Sequence, residues 1–149
     1  MGQLALPPTG TVYVDTGVLI RRVEAIEPFL TATLPLWQAL DAGTQTVATS
    51  ALTLLEVLVK PLRDGNLALA TVYRNVLLTT AGLTCWPIDV AVLESAAQIR
   101  AVHNLKAPDA IHAATALAAG CSLLVTNDAV FRRIPGLNVA VLSDIVAAP

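Results

Sequence analysis

Four acidic residues stand where a carboxylate is hard to explain as an ordinary surface charge. Asp15 and Asp128 each follow a short, β-rich run, whereas Glu56 and Asp109 fall on predicted helices in apolar surroundings. A carboxylate in such places is costly unless it is paired or binds a cation. Too few Lys and Arg residues lie nearby in the sequence to pair all four. Oxygen-only ligands favour Mg²⁺ or Mn²⁺, so the pattern predicts a divalent metal site.

Each acid taken singly also has a structural interpretation. Asp15 can cap a helix, Asp109 can complement the dipole of a first helical turn, and Asp128 can organise a turn with Asn127. Glu56 is the hardest to explain in this way, although a solvated helix edge would accommodate it. The metal-site hypothesis therefore depends on the four acids occurring together in one small chain.

The chain has two histidines, His103 and His112, and either could serve in acid–base chemistry. We expect His103 to lie at a solvated helix end and His112 to pack beside the acids. No Gly-rich phosphate-binding loop and no nucleophile motif is present. Carboxylates are therefore the main candidates for chemistry.

The elements that must position these acids alternate between strand and helix patterns. Short β-type runs occupy residues 11–14, 46–49, 83–88, 122–126 and 139–142. Helical patterns begin near Gly17 and after Ser50, and they cover residues 27–41, 66–80, 89–103 and 108–120, with Ser50 and Asp89 as expected N-caps. The alternation predicts an α/β protein with a mostly parallel sheet. We expect a flexible lead-in over residues 1–10, one domain over residues 11–149, and ligands beyond the carboxyl ends of the strands.

Composition limits the classes of protein that this chain can represent. Of the 149 residues, 55% are hydrophobic and 13% are charged, which argues against disorder and suits either a dense core or a buried dimer interface. We expect no membrane span and no secretory signal. Two cysteines without metal-type spacing favour a reducing compartment, the cytoplasm by default. The net charge is −2, but without the four acids seven acidic residues remain against nine basic ones.

Four segments resemble, in chain order, the motifs of PIN-domain nucleases. They are VYVDT at residues 12–16, SALTLLEV at 50–57, KAPDAIHAATA at 106–116 and LVTND at 124–128. The third segment is the most specific of the four, and together the segments extend over most of the chain. The resemblance implies a three-layer α/β/α sandwich with a parallel central sheet.

The resemblance also implies an activity, namely hydrolysis of RNA with Mg²⁺ or Mn²⁺. By this resemblance the metal ligands and catalytic acids are Asp15, Glu56, Asp109 and Asp128, and the supporting polar groups are Thr16 and Thr126. PIN domains of this length are similar to VapC toxins of toxin–antitoxin pairs. Such toxins form homodimers and are blocked by a small antitoxin protein that inserts a segment into the site. Gly17 departs from the small polar residue that is common at its position.

Arg21 and Arg22 are the favoured RNA contacts, because they follow Asp15 by only one or two helical turns. Three other classes of protein stay open at this point. The first is a catalytically silent module that binds RNA or a protein, and the second is a metal-free ribonuclease based on the histidines. The third is a phospho-acceptor domain. Such a domain would require a lysine after a late strand, and no lysine follows residues 139–142.

Overall fold

In the computed structural model, which describes residues 1–149, five strands form one sheet. The strands are β1 (Thr11–Val14), β2 (Thr46–Ser50), β3 (Leu83–Trp86), β4 (Leu123–Thr126) and β5 (Val139–Val141). Their order across the sheet is β3-β2-β1-β4-β5, and every neighbouring pair is parallel. The predicted α/β class is confirmed, with a sheet that is wholly parallel.

Helices cover both faces of this sheet. They are α1 (Thr16–Val23), α2 (Phe29–Asp41), α3 (Ala51–Arg63), α4 (Leu67–Thr79), α5 (Val90–His103), α6 (Ala107–Ala118) and α7 (Leu142–Ala147). The core on one face takes side chains from α1, α2, α3, α4 and α7, and the core on the other takes them from α5 and α6. The result is the three-layer sandwich that the resemblance implied. None of these helices combines the length and hydropathy needed to cross a lipid bilayer.

The alternation of side chains along the strands divides the core between the two faces. In β1, Val12 and Val14 pack into the core on the α1 side, whereas Tyr13 points to the α6 side. These three side chains of β1 are buried, and so are all four residues of β4. Successive side chains of a strand point to opposite faces, so a parallel sheet covered on both faces needs apolar residues throughout.

Two element boundaries and one short helix differ from the sequence expectation. The third β run ends at Trp86 rather than at residue 88, because Pro87 cannot donate to the sheet, and the strand lies at its edge. Leu142, expected at the end of the last strand, begins α7 instead. A short 3₁₀ helix at Ala129–Arg133 also escaped prediction, because its five residues are too few to show a period.

The connections place a crevice at the centre of the sheet. From β1 the chain adds β2 and β3 on one side, and it then returns to place β4 on the other side of β1. In open parallel sheets, ligands bind beyond the carboxyl ends of the strands at such a reversal. Asp15 follows β1 and Asp128 follows β4, so both acids lie at this crevice.

Residues 1–10 form no helix or strand, but they are attached to the rest of the chain. The backbone N–H of Gly2 donates to the carbonyl of Ile145 at 3.1 Å, and that of Leu4 donates to Ala32 at 2.8 Å. The Leu4 side chain is 4% exposed and belongs to the core. Two backbone hydrogen bonds and one core side chain thus anchor a segment that the sequence alone presents as a loose lead-in.

Leu4→Ala tests this anchoring. We expect it to lower the free energy of unfolding by about 2–3 kcal/mol, because a buried leucine is replaced by a cavity. Leu67→Ala is the matched control, since Leu67 is 66% exposed and Ala is a good helix former. Urea unfolding followed by circular dichroism measures both variants. Equal, small losses for the two variants would show that the N-terminal segment contributes nothing to the core.

Candidate active site

Asp15 is fixed at the point where β1 passes into α1. Its extended backbone makes it the N-cap of α1, and its Oδ1 accepts a hydrogen bond from the backbone N–H of Val18 at 3.1 Å. Its Oδ2 accepts a hydrogen bond from the hydroxyl of Thr126 at 2.5 Å. Thr126 ends β4, the strand next to β1. Both oxygens of the carboxylate are therefore held, one from its own helix and one from the neighbouring strand.

Glu56 is carried by α3, which Ser50 caps as predicted, with its hydroxyl accepting from the N–H of Leu52. The carboxylate reaches across to α1, where its Oε1 accepts a hydrogen bond from the Thr16 hydroxyl at 2.8 Å. The same oxygen lies 3.0 Å from Nε2 of His112 on α6. Thr16, expected as a supporting polar group, thus orients Glu56.

His112 links Glu56 to the centre of the sheet. The residue is 3% exposed, and its Nδ1 lies 2.7 Å from the hydroxyl of Tyr13, which is fully buried. Burial raises the pKa of Tyr13 well above its ordinary value, so its hydroxyl stays protonated and is hydrogen-bonded to Nδ1. Nε2 donates to Oε1 of Glu56, because a carboxylate oxygen only accepts. A chain of hydrogen bonds runs from Tyr13 through His112 to the carboxylate.

The sequence indicated part of this chain. Asp109 and His112 lie one turn apart on α6, and residues at this spacing share a helix face, so His112 was expected beside the acids. Its bond to Tyr13 was not foreseen. In the sequence, Tyr13 is indistinguishable from the apolar residues of a buried β run. Only the packing of α6 on β1 brings its hydroxyl to the imidazole of His112. With both ring nitrogens engaged, the buried His112 is poorly placed to act on a substrate.

Asp109 and Asp128 complete the cluster of acids. Asp109 lies in the first turn of α6, and burial raises the pKa of its carboxyl. The negative charge of Asp128 acts in the same direction, as do those of Asp15 and Glu56, while His112 opposes them. Asp128 caps the 3₁₀ helix, its Oδ1 accepting from a backbone N–H at 2.9 Å. The other three predicted acids are therefore close enough to Asp109 to raise the pKa of its carboxyl.

The remaining pKa shifts follow from the surroundings of each carboxyl group. Burial raises the pKa of Asp15, and the hydrogen bond from Thr126 only partly offsets this effect. The hydrogen bond from His112 lowers the pKa of Glu56. Among the four acids only Glu56 has a basic partner within ion-pair distance, and that partner is His112. No Lys or Arg is paired with Asp15, Asp109 or Asp128.

The donor set suits a hard divalent cation, but it is not a compact ligand set. All four side chains offer carboxylate oxygens, the ligands that Mg²⁺ and Mn²⁺ prefer, and no lysine or arginine forms an ion pair with any of them. However, no group of three or more His, Cys, Asp or Glu side chains is arranged to hold one metal ion. The chemistry of the site fits the predicted metal, and the role of each acid as a ligand stays a prediction.

The two arginines favoured as RNA contacts lie in different surroundings. Arg21 folds back towards the start of α1, where its Nη1 donates to the carbonyl of Gly17 at 2.9 Å. Its charge helps to lower the pKa of Asp15. Arg22 lies with its guanidinium 5.8 Å from the centre of the Trp37 ring, beside a largely apolar cavity of about 250 Å³. Only Arg21 is next to the acids.

A wholly parallel sheet with four acidic side chains at the carboxyl ends of its strands defines the class: an α/β protein with an acidic site suited to a cation. The sequence profile of the PIN domain matches residues 12–137, and the chain belongs to this family. The resemblance to PIN domains is thereby confirmed. A search of curated proteins finds no match.

Solved structures support the same fold. A toxin–antitoxin complex from Klebsiella pneumoniae contains a chain that is 26% identical, with a TM-score of 0.63 over 89% of this chain and 98% of that one. VapC20 of Mycobacterium tuberculosis, described as a toxin that cleaves the sarcin–ricin loop, is 19% identical, with a TM-score of 0.66 over 82% and 93%. VapBC2 of Rickettsia felis, bound to promoter DNA, is 17% identical, with a TM-score of 0.65 over 87% and 98%.

Asp15→Asn is expected to stabilise the protein at neutral pH without added metal. Because the pKa of Asp15 is raised above its ordinary value of 3.8, the folded state loses stability as the pH rises through the raised pKa. An uncharged Asn avoids this loss. We expect a gain of about 1 kcal/mol at pH 7 that disappears below the ordinary pKa, where the wild-type carboxyl is neutral as well.

Thermal unfolding between pH 3 and pH 8 measures this difference. Asp89→Asn is the matched control, because Asp89 caps α5 in the same manner but is exposed. Asn is as good an N-cap as Asp, so the control should stay within about 0.5 kcal/mol of the wild type. A stability gain in Asp15→Asn that is the same at every pH would contradict the electrostatic explanation.

Tyr13→Phe tests the hydrogen-bond chain to Glu56. It leaves Nδ1 of the buried His112 without its hydrogen-bond partner, which should cost about 1–3 kcal/mol of unfolding free energy. Tyr73→Phe is the control, because the Tyr73 hydroxyl donates to the exposed Glu24, which water can solvate after the change. Urea titration of both variants gives the comparison. Equal losses of unfolding free energy would mean that the bond of Tyr13 to His112 contributes no more to stability than the bond of Tyr73 to Glu24.

Proposed function

We propose that this protein is a Mg²⁺- or Mn²⁺-dependent endoribonuclease that hydrolyses RNA phosphodiester bonds. The observation that carries the proposal is the cluster of four carboxylates at the reversal point of the sheet, where Asp109 lies in the field of the other three. Such repulsion is retained in a protein when a cation relieves it. Membership of the PIN family supports the same conclusion, because PIN domains generally depend on divalent metals.

In this proposal Asp15, Glu56, Asp109 and Asp128 hold the metal, and their neighbours set their orientation. Thr126 fixes the Asp15 carboxylate, while Thr16 and His112 fix that of Glu56. A bound divalent ion supplies activation of water and stabilisation of the leaving oxygen. A carboxylate of the cluster that is not bonded to the protein is placed to accept a proton from the attacking water. The products are a 5′-phosphate and a 3′-hydroxyl.

We further propose that the protein acts as the toxin of a toxin–antitoxin pair. The similarity to the toxin–antitoxin complex from Klebsiella pneumoniae supports a protein antitoxin as partner. We propose a homodimer as well, since Leu55, Val59 and Leu62 repeat along α3 at helical spacing and are exposed. Two unpaired cysteines support a cytoplasmic location.

A catalytically silent PIN module is the second candidate. The observation that favours it is the lack of a compact ligand set among the four acids. In that case the fold would bind RNA or a protein partner without cutting. Binding of RNA without metal-dependent cleavage distinguishes this candidate from the nuclease.

Cleavage of a mixed tRNA and rRNA pool by the purified protein, freed of any bound antitoxin, tests the proposal. We expect cutting with Mg²⁺ or Mn²⁺ and none with EDTA. Asp109→Asn should reduce the rate at least about 100-fold, because the ion loses a charged ligand. Labelling of the new ends should reveal 5′-phosphates.

Asp89→Asn serves as the matched control here too, since it removes one carboxylate of the same type outside the cluster and preserves the helix cap. Its rate should equal that of the wild type. Cutting that survives EDTA and the Asp109→Asn change would overturn the metal mechanism. Binding without cutting under all conditions would favour the silent module.

A further inference from the structure

The guanidinium of Arg21 is held in an unusual position beside the acid cluster. Its Nη1 donates to the carbonyl of Gly17, one turn earlier on the same helix, at 2.9 Å. Its central carbon lies 4.7 Å from the centre of the Phe29 ring on α2, a cation–π arrangement. Two contacts thus fix the planar group and aim it at the first turn of α1, where Asp15 is the N-cap.

The position of Arg21 leaves part of its hydrogen-bonding capacity unused. Its Nε is buried and has no hydrogen-bond partner. Buried donors without a partner are rare in folded proteins, because each costs about 1–3 kcal/mol. The Gly17 carbonyl is the one acceptor that the guanidinium reaches. The buried Nε is closed to a ligand, but Nη2 makes no hydrogen bond within the protein and is not buried, so it is the donor available to an acceptor that binds at the crevice.

Gly17 makes this arrangement possible. Gly17 has no positive φ, so the backbone does not require a glycine, and a glycine in a helix costs about 1 kcal/mol relative to Ala. A Cβ at this position would lie 2.9 Å from Nη1 of Arg21 and 3.6 Å from Oδ1 of Asp15. The guanidinium therefore lies against the position that a Cβ of residue 17 would occupy. A Cβ there would also contact the carboxylate of Asp15.

The charge of Arg21 suits a phosphate. A phosphodiester that approaches four carboxylates is repelled by them, and a divalent ion alone would have to overcome that repulsion. A fixed guanidinium at the rim of the cluster offers a second positive charge, and its Nη2 offers N–H donors to the oxygens of a phosphate. Arg22, one residue later, is turned away towards Trp37 and cannot share this role.

We propose that Arg21 binds an RNA phosphate at the acid cluster and that Gly17 provides the space for its guanidinium. The inference rests on the proposed nuclease function and adds a residue that receives the substrate. It makes Gly17 and Arg21 a coupled pair: a side chain at position 17 should displace the guanidinium and weaken RNA binding, although the catalytic acids are untouched.

The test measures binding of a fluorescent single-stranded RNA by anisotropy, with Mg²⁺ present and with Asp109→Asn in every protein to prevent cutting. Arg21→Gln should weaken binding about 10-fold. It should also lower the slope of log Kd against log salt by about 0.7, because one phosphate contact is lost. Gly17→Ala should weaken binding in the same direction, and the double variant should be no weaker than Arg21→Gln alone.

Arg74→Gln is the charge-matched control, since Arg74 is an exposed cation on α4. An equal loss of affinity and slope in Arg74→Gln would overturn the proposal, because it would reduce Arg21 to one surface charge among many. Independent, additive losses in the double variant would overturn the coupling to Gly17. Melting temperatures within about 4 °C of the parent exclude unfolding as the cause of any loss.

The two proposals fail in different ways. If the parent protein binds no RNA and the protein that keeps Asp109 cuts none, the nuclease proposal and the role of Arg21 are rejected together. If the parent protein binds RNA and Arg21→Gln binds equally well, only the role of Arg21 is rejected. Cleavage assays in proteins that keep Asp109 then complete the comparison: loss of Arg21 should raise KM more than it lowers kcat, since the residue binds the substrate and does not hold the metal.

Discussion

Burial of a carboxylate at the centre of a parallel sheet is the constraint on which the site depends. Asp15 follows the central strand β1, and burial makes its negative charge unfavourable. The protein keeps the side chain in place with the hydroxyl of Thr126 and the N-terminal turn of α1. Neither contact supplies a positive charge, so the remaining cost favours binding of a cation at this point. The other acids add to the same repulsion.

The hydrophobic core provides the rigidity that this arrangement requires. Strands β1 and β4 are buried on both faces, so their carboxyl ends hold Asp15 and Thr126 in a fixed relation. The Tyr13 hydroxyl, on the opposite face of β1 from Val14, extends the same rigidity through His112 to Glu56. Core and active site therefore share one strand. A change in packing on the α6 side should therefore alter the position of the Glu56 carboxylate more than that of Asp15.

The gathering of acidic residues at one crevice explains why the chain is acidic overall, although its other charged residues are mostly basic. Four of the eleven acidic residues are gathered at one crevice, and the other seven are outnumbered by nine basic residues. A bound divalent ion would offset part of the negative charge of the crevice. Arg21, held against Phe29, adds a fixed positive charge next to Asp15. Membership of the PIN family agrees with this use of the crevice.

The sequence by itself determined the strand–helix alternation, the caps at Ser50 and Asp89, and the four acids, because each depends on local patterns of polarity and turn chemistry. Tertiary structure alone decided which of these residues meet. The pairing of Thr126 with Asp15 spans 111 positions, and that of His112 with Tyr13 spans 99. Such contacts depend on strand order and on helix packing, which no local pattern encodes. For the same reason, Arg21 and Arg22 are equal candidates in the sequence, and only the packing of α2 against α1 separates them.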